Sequence, residues 1–177
     1  MNIAVYCGAM SGTDPEYLET AEALGEWIGR DGHNLVYGGG KLGMMGAVSE
    51  AVLRNGGDVV GVIPHFLATP AQMRDNMTEV FEVDTMAVRR KKMIDLADAF
   101  IALPGGTGTL EEISEIISRV HLNLTDAPCV LFSVNGFYDG LEKFFDYMVT
   151  EGFLLEEDRR KFCFVHNIAE LKEALDG

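Results

Sequence analysis

Seven short runs rich in β-branched residues, separated by longer amphipathic stretches, constrain the fold of this chain more than any other feature. The runs cover residues 3–6, 35–37, 59–63, 79–83, 99–103, 129–134 and 162–165. Several are apolar almost throughout, which suits strands covered on both faces rather than on one. Between them, helix-like patterns occupy residues 15–30, 44–55, 85–96, 109–120, 138–150 and 168–175. Asp14 followed by Pro15 reads as a helix N-cap and first-turn pair, and Gly32 and Gly56-Gly57 read as helix stops. Strand and helix alternate, so the expected fold is α/β, built from right-handed crossovers into an open, doubly wound and mainly parallel sheet. A chain of 177 residues is long enough to bury one substantial core. One domain spanning residues 1–177 is therefore expected.

In sheets of this kind ligands sit outside the carboxyl ends of the strands. The loops to search begin at Cys7, Gly38, Pro64, Asp84, Pro104 and Asn135. The most telling is Pro104-Gly105-Gly106-Thr107-Gly108-Thr109-Leu110-Glu111-Glu112. A strand ends there in a glycine-rich turn that opens a helix, which leaves bare backbone N–H groups where an anion is favoured. Two carboxylates follow close behind. Thr109-x-x-Glu112 also fits a capping box, so Glu112 is either a helix cap or a carboxylate turned toward a ligand. Glu111 reads as solvated.

Three other segments need weighing. Residues 7–12 have small side chains that let a ligand approach, and Ser11 offers a hydroxyl; the alternative is a plain strand-to-helix turn. Gly38, Gly40 and Gly43 fit G-x-G-x-x-G. Yet the match lies on the second strand–helix unit, and no acidic residue ends the next strand. A glycine loop shaping a nucleotide pocket, with Gly39 and Gly40, fits better than a dinucleotide site. Arg89-Arg90-Lys91-Lys92 places four cations near a helix start, where the macrodipole opposes positive charge. A phosphate or a carboxylate is expected to compensate. Helical spacing puts Arg89, Lys92 and Met93 on one side and turns Arg90 elsewhere.

Composition removes several classes of partner. The net charge of −14, from 14 basic and 28 acidic side chains, repels nucleic acid and anionic lipid, so neither is an expected partner. Cys7, Cys129 and Cys163 form no paired motif and read as buried thiols in a reducing cytosol. No run approaches the ~20 apolar residues needed to span a bilayer. The first residues lack a secretory pattern, so a cytoplasmic location is expected. The four histidines are isolated, and neither a metal nor another cofactor is expected.

The segment Pro104 to Glu112 resembles the PGGxGTxxE signature of the Lonely Guy (LOG) family of cytokinin riboside 5′-monophosphate phosphoribohydrolases. Met86-x-x-Arg89-Arg90 is similar to that family's MxxRK element, with Arg90 where Lys is usual. Further matches are Cys7-Gly8, the runs from Leu35 to Gly40 and Gly43 to Gly46, Gly61 to Pro64, and Gly136 to Asp139, so the likeness spans residues 3–153. It implies a Rossmann-like fold, a homodimer with sites near the subunit interface, and hydrolysis of the N-glycosidic bond of a nucleoside 5′-monophosphate to base and ribose 5-phosphate. Arg89 and Glu112 match the family's catalytic pair. Gly105, Gly106, Thr107, Gly108 and Thr109 match its phosphate-binding segment. Ser11, Gly39, Gly40, Met86 and Arg90 are the further expected nucleotide-binding residues. Relatives have often carried the label lysine decarboxylase, but no pyridoxal-phosphate lysine context is recognisable here. The chain departs from the family at Ala9-Met10, where small hydroxyl residues are common, and at residues 119–123, where Trp-x-Gln-Leu-Gly is common. These departures bear on the base pocket or the subunit surface. The competing reading is a nucleotide-binding or sensing module without turnover; a phosphoribosyl transferase would need a pyrophosphate loop and an acidic pair for Mg²⁺, and neither is recognisable.

Overall fold

The computed structural model describes residues 1–176. Seven strands form one all-parallel sheet: β1 (Asn2–Tyr6), β2 (Asn34–Tyr37), β3 (Val59–Pro64), β4 (Glu79–Val83), β5 (Ala99–Ala102), β6 (Cys129–Phe132) and β7 (Cys163–Val165). Their order across the sheet is β4-β3-β2-β1-β5-β6-β7. The helices are α1 (Pro15–Arg30), α2 (Gly43–Arg54), α3 (Met86–Leu96), α4 (Thr107–His121), α5 (Asp139–Thr150), α6 (Glu156–Arg159) and α7 (Ile168–Asp176). The expected α/β sheet is thus observed, with each of the seven runs forming a strand.

Alternation along β1 explains the layers. Ile3, Val5 and Cys7 face a core built with Leu24 and Ile28 of α1, Val48 and Val52 of α2, and Leu171 of α7. Ala4 and Tyr6 face the opposite core, with Met93 of α3 and Ile113, Ile116 and Val120 of α4. Helices α1 and α2 cross closely: a Cβ on Gly25 would lie 2.4 Å from the Val48 carbonyl oxygen. Asp14 caps α1 by accepting from the Glu16 amide at 3.0 Å. Gly32 and Gly56 follow the ends of α1 and α2 with φ of +73° and +82°.

Sheet order reverses at β1, so the loops after β1 and β5 part to either side of one crevice. They touch at its base, where the Gly8 amide donates to the Pro104 carbonyl at 3.1 Å. The structure corrects one feature there. Helix α4 starts at Thr107, with Gly106 as N-cap and no side-chain capping bond. The capping-box reading of Thr109 and Glu112 therefore fails: Thr109 is already inside the first turn, and Glu112 lies deeper in the helix. Three elements were not anticipated: the four-residue α6 and the 3-10 turns at His65–Leu67 and Val134–Gly136.

Candidate functional site

The crevice at the sheet reversal opens into a cavity of about 430 Å³. One end is the glycine turn, Gly105 to Thr109, whose amides open α4 and have no intrahelical partners. Gly105 is required by close approach, because a Cβ there would lie 2.2 Å from the Thr109 hydroxyl and 2.9 Å from the Gly8 amide nitrogen. The amides and the positive end of the helix dipole favour an anion at this spot.

Glu112 lies five residues into α4, about 7 Å along its axis from the first turn. It shares a helix face with Thr109, and both line the cavity. Its side chain is only 9% exposed, and its Oε1 atom has no hydrogen-bond partner. Arg89 Nη1 is 3.9 Å from that oxygen, near enough to attract and too far to hydrogen-bond. Burial raises the Glu112 pKa to about 7; Arg89 and Arg90 pull it down, and Glu111 adds to the rise. The carboxyl is thus poised between its two protonation states near neutrality. Its acceptor capacity is left for a ligand.

Arg89 comes from α3 and is 7% exposed. Its Nε donates to the Val62 carbonyl at 3.0 Å. The guanidinium lies on Gly38: a Cβ at that position would sit 1.8 Å from Nη2. Gly38 therefore makes room for an arginine, while Gly40 faces Met45 and Gly43 faces the Ala9 carbonyl. Gly38, Gly40 and Arg89 also bound a second cavity of about 190 Å³, which adjoins the first through Ala9, Met45 and Arg89.

The remaining expected residues divide. Met86 lines the main cavity. Gly40 lines the second, while Gly39 is buried behind it. Ser11 is exposed in the loop at the mouth and is not part of either wall. Arg90 turns away, as helical spacing requires, and pairs with Glu111 at 2.9 Å and Glu115 at 3.0 Å, joining α3 to α4. Lys91 pairs with Asp95, and Lys92 stands 4.0 Å from the Phe81 ring centroid. Carboxylates and a ring thus compensate the basic run, and Arg89 alone of the four cations reaches the cavity.

Sequence reasoning did not select Tyr17, Phe137, Met44 or Met45, which make the apolar wall. Tyr17 and Phe137 meet edge to face at 6.0 Å between centroids. Met10, noted only as a departure, stands 81% exposed at the mouth. Cys7 also lines the cavity, and burial pushes its thiol well above the usual range, which disfavours the thiolate. Among the described residues, no group of three or more His, Cys, Asp or Glu side chains is placed to hold a metal. No described helix is long and apolar enough to cross a membrane.

A family model described as possible lysine decarboxylase matches residues 45–175. The chain is 42% identical, over 161 residues, to a cytokinin riboside 5′-monophosphate phosphoribohydrolase of Rhodococcoides fascians, a match covering 90% of this chain and 81% of that protein. It is 42% identical to an Arabidopsis thaliana protein of the same description, over 98% of this chain and 80% of the relative. Among solved structures, the molybdenum cofactor binding protein from Rippkaea orientalis superposes with a TM-score of 0.74, covering 99% of this chain and 97% of that one. At 20% identity that likeness concerns the fold alone.

Proposed function

The chain belongs to the LOG family of cytokinin riboside 5′-monophosphate phosphoribohydrolases, and from that premise we propose that it hydrolyses the N-glycosidic bond of a nucleoside 5′-monophosphate, a cytokinin ribotide or AMP, to free base and ribose 5-phosphate. The observation that carries this reading is Glu112: a buried carboxyl with an unpartnered oxygen, beside Arg89, on the helix whose N-terminus forms the anion cradle.

Breaking the bond between base and ribose builds positive charge on the sugar ring. A carboxylate beside the ring stabilises that charge and orients the attacking water. Glu112 has this role in the proposal, and its second oxygen is available to the ribose hydroxyls. Arg89 grips the nucleotide and favours the ionised form of Glu112 against the effect of burial. The 5′-phosphate rests on the amides of Gly105 to Thr109, about one and a half helical turns from the carboxyl. That spacing suits a ribose bridging the two. Charge-assisted hydrogen bonds contribute about 1.5–3 kcal/mol each, so two of them favour nucleotide over nucleoside by roughly a thousandfold. Met86 bounds the main cavity and Gly40 the adjoining one, which together leave room for the base; Ser11 stands at the mouth, Gly39 supports Gly40 from behind, and Arg90 fixes α3 against α4.

Residues 1–177 act as one hydrolase domain in the cytoplasm, a setting supported by three free cysteines. The working unit is a homodimer, supported by the exposed Val88 and Leu110, which lie just beyond the cavity-lining residues of α3 and α4. Light scattering on the purified protein tests the dimer.

The test of activity is product analysis after incubation with AMP and with isopentenyladenosine monophosphate, with the two nucleosides as controls. Base released from the monophosphates alone supports the reading, and their rate ratio sets the substrate class. Tight nucleotide binding with no base released from either would replace it with a binding module.

A further inference from the structure

Arg74 is the most buried cation outside the cavity, with a side chain 10% exposed. It sits in the segment between the His65–Leu67 turn and β4, which no motif marks. Its Nη1 donates to Glu50 at 2.7 Å and to the Asn76 side-chain oxygen at 3.1 Å. Its Nη2 donates to the Gly46 carbonyl at 3.1 Å. Both Glu50 and Gly46 belong to α2, so the guanidinium pins this segment to the helix that follows the glycine loop. The Arg74 backbone amide, in turn, donates to the Gly39 carbonyl at 3.0 Å. Neighbouring contacts continue the attachment: the Lys41 amide donates to Gln72, and Gly40 bridges Met73. Burial raises the pKa of the Tyr37 hydroxyl at the end of β2, and the nearby Arg74 charge partly offsets that rise.

From these contacts we infer that Arg74 is a positioning residue, which fixes the Gly38–Gly40 loop as the shelf that holds the Arg89 guanidinium against Glu112. The shelf matters because Arg89 is held by little else: one bond to Val62, a long contact with the Met86 sulfur at 3.8 Å, and the face of Gly38. Loosening the loop lets the guanidinium move, and the 3.9 Å approach to Glu112 leaves no direct hydrogen bond to hold it back. The roles of Arg89 and Glu112 rest on the proposed function; the geometric coupling does not.

The experiment reads Glu112 itself. Its carboxyl faces Arg89 and Arg90 from α3, Glu111 on its own helix, Tyr6 of β1 and Cys7 beyond it. Glutamate labelled with ¹³C at the carboxyl, with the resonance assigned through Glu112→Gln, gives the titration midpoint without any turnover. Arg74→Met keeps the side-chain stem, and Arg74→Lys keeps the charge. The expected result is an upward shift of the midpoint by half a unit or more in Arg74→Met, with partial return in Arg74→Lys. Loss of the Arg74 charge also raises a carboxyl pKa through space, so Glu50→Gln is measured beside it, and alone if Arg74→Met does not fold. Removing a negative charge lowers a neighbouring carboxyl pKa through space, whereas releasing the shelf raises it, so the sign separates the two routes. For AMP, kcat/KM should fall at least tenfold in Arg74→Met, and its pH midpoint should move upward with the carboxyl. A folded Arg74→Met whose Glu112 midpoint is unchanged overturns the inference, as does a downward shift in Glu50→Gln. Wild-type protein that titrates and responds to Arg74→Met as described but releases no base overturns the hydrolase reading alone.

Discussion

Glu112 makes the site and weakens the fold by the same means. A carboxyl whose folded pKa lies near 7, against 4.5 for the free group, binds its proton more tightly in the folded state. Folding is therefore most favoured where the group is protonated, below about pH 4.5. That contribution is lost as pH rises through 7, and ionising the group then costs the folded state up to about 3 kcal/mol. Glu112→Gln imitates the protonated form. It should raise the melting temperature by several degrees at pH 8 and leave it nearly unchanged at pH 4.5, which scanning calorimetry at the two pH values measures. Turnover in the same variant should fall by about 10²–10³-fold, the usual loss when a charge-stabilising group is removed. A fall in melting temperature at pH 8 would instead mean that the carboxylate is structurally required. The ionised form is also the one that stabilises a cationic ring, so kcat/KM should rise with pH through about 7 and level off above it. A profile flat from pH 5 to 9 would remove Glu112 from that role.

At the scale of elements, the site depends on where backbone is left bare. Gly38 in the loop after β2 is the sharpest case, because the guanidinium of Arg89 fills the space a side chain would need. Gly38→Ala should lower kcat/KM by about a hundredfold, with a stability loss of about 1–3 kcal/mol from overpacking. Gly140→Ala on α5 is the control, since its Cβ meets nothing within 4 Å: activity should hold and the melting temperature should hold or rise slightly, alanine being the better helix former. Equal effects in the two variants would mean that backbone flexibility, rather than the arginine shelf, matters at Gly38. The same elements mark how far the chain can be read in advance. Most strands were legible because they are buried on both faces with little polar interruption; β4, largely exposed and carrying Glu79 and Glu82, was legible from its β-branched and aromatic residues instead. The turn from Arg89 to Arg90 was legible because helical geometry alone separates them. The start of α4 was misplaced, since Thr109-x-x-Glu112 satisfies the capping pattern while Gly106 caps the helix with no side-chain bond. Helix α6 gave no periodic signal in four residues, and Arg159 ties it to Glu142 and Asp146 of α5.

At the scale of the whole molecule, one site is assembled from five separated stretches of chain. The loops after β1 and β5 were predictable, because the sheet must reverse somewhere and ligands collect there. Tyr17, Phe137 and the segment carrying Arg74 were not, because they reach the site through contacts that no local pattern encodes. Nor does the overall charge describe the cavity. The chain carries a net charge of −14, yet its site offers helix amides and Arg89 to an anion. These terms act over different distances. Repulsion between the acidic surface and a phosphate dianion extends about 30 Å at 0.01 M salt and about 10 Å at 0.1 M. Contacts inside the cavity are short and partly buried, so salt screens them less. Raising salt from about 10 mM to about 100 mM should therefore increase kcat/KM for a nucleoside monophosphate a few-fold, by easing its approach. Binding of the matching nucleoside, which carries no charge, should not change over that range. A fall in kcat/KM with added salt would mean that the positive field of α4 and Arg89 reaches past the mouth and steers the substrate in. The rest of the acidic surface would then be silent in the encounter.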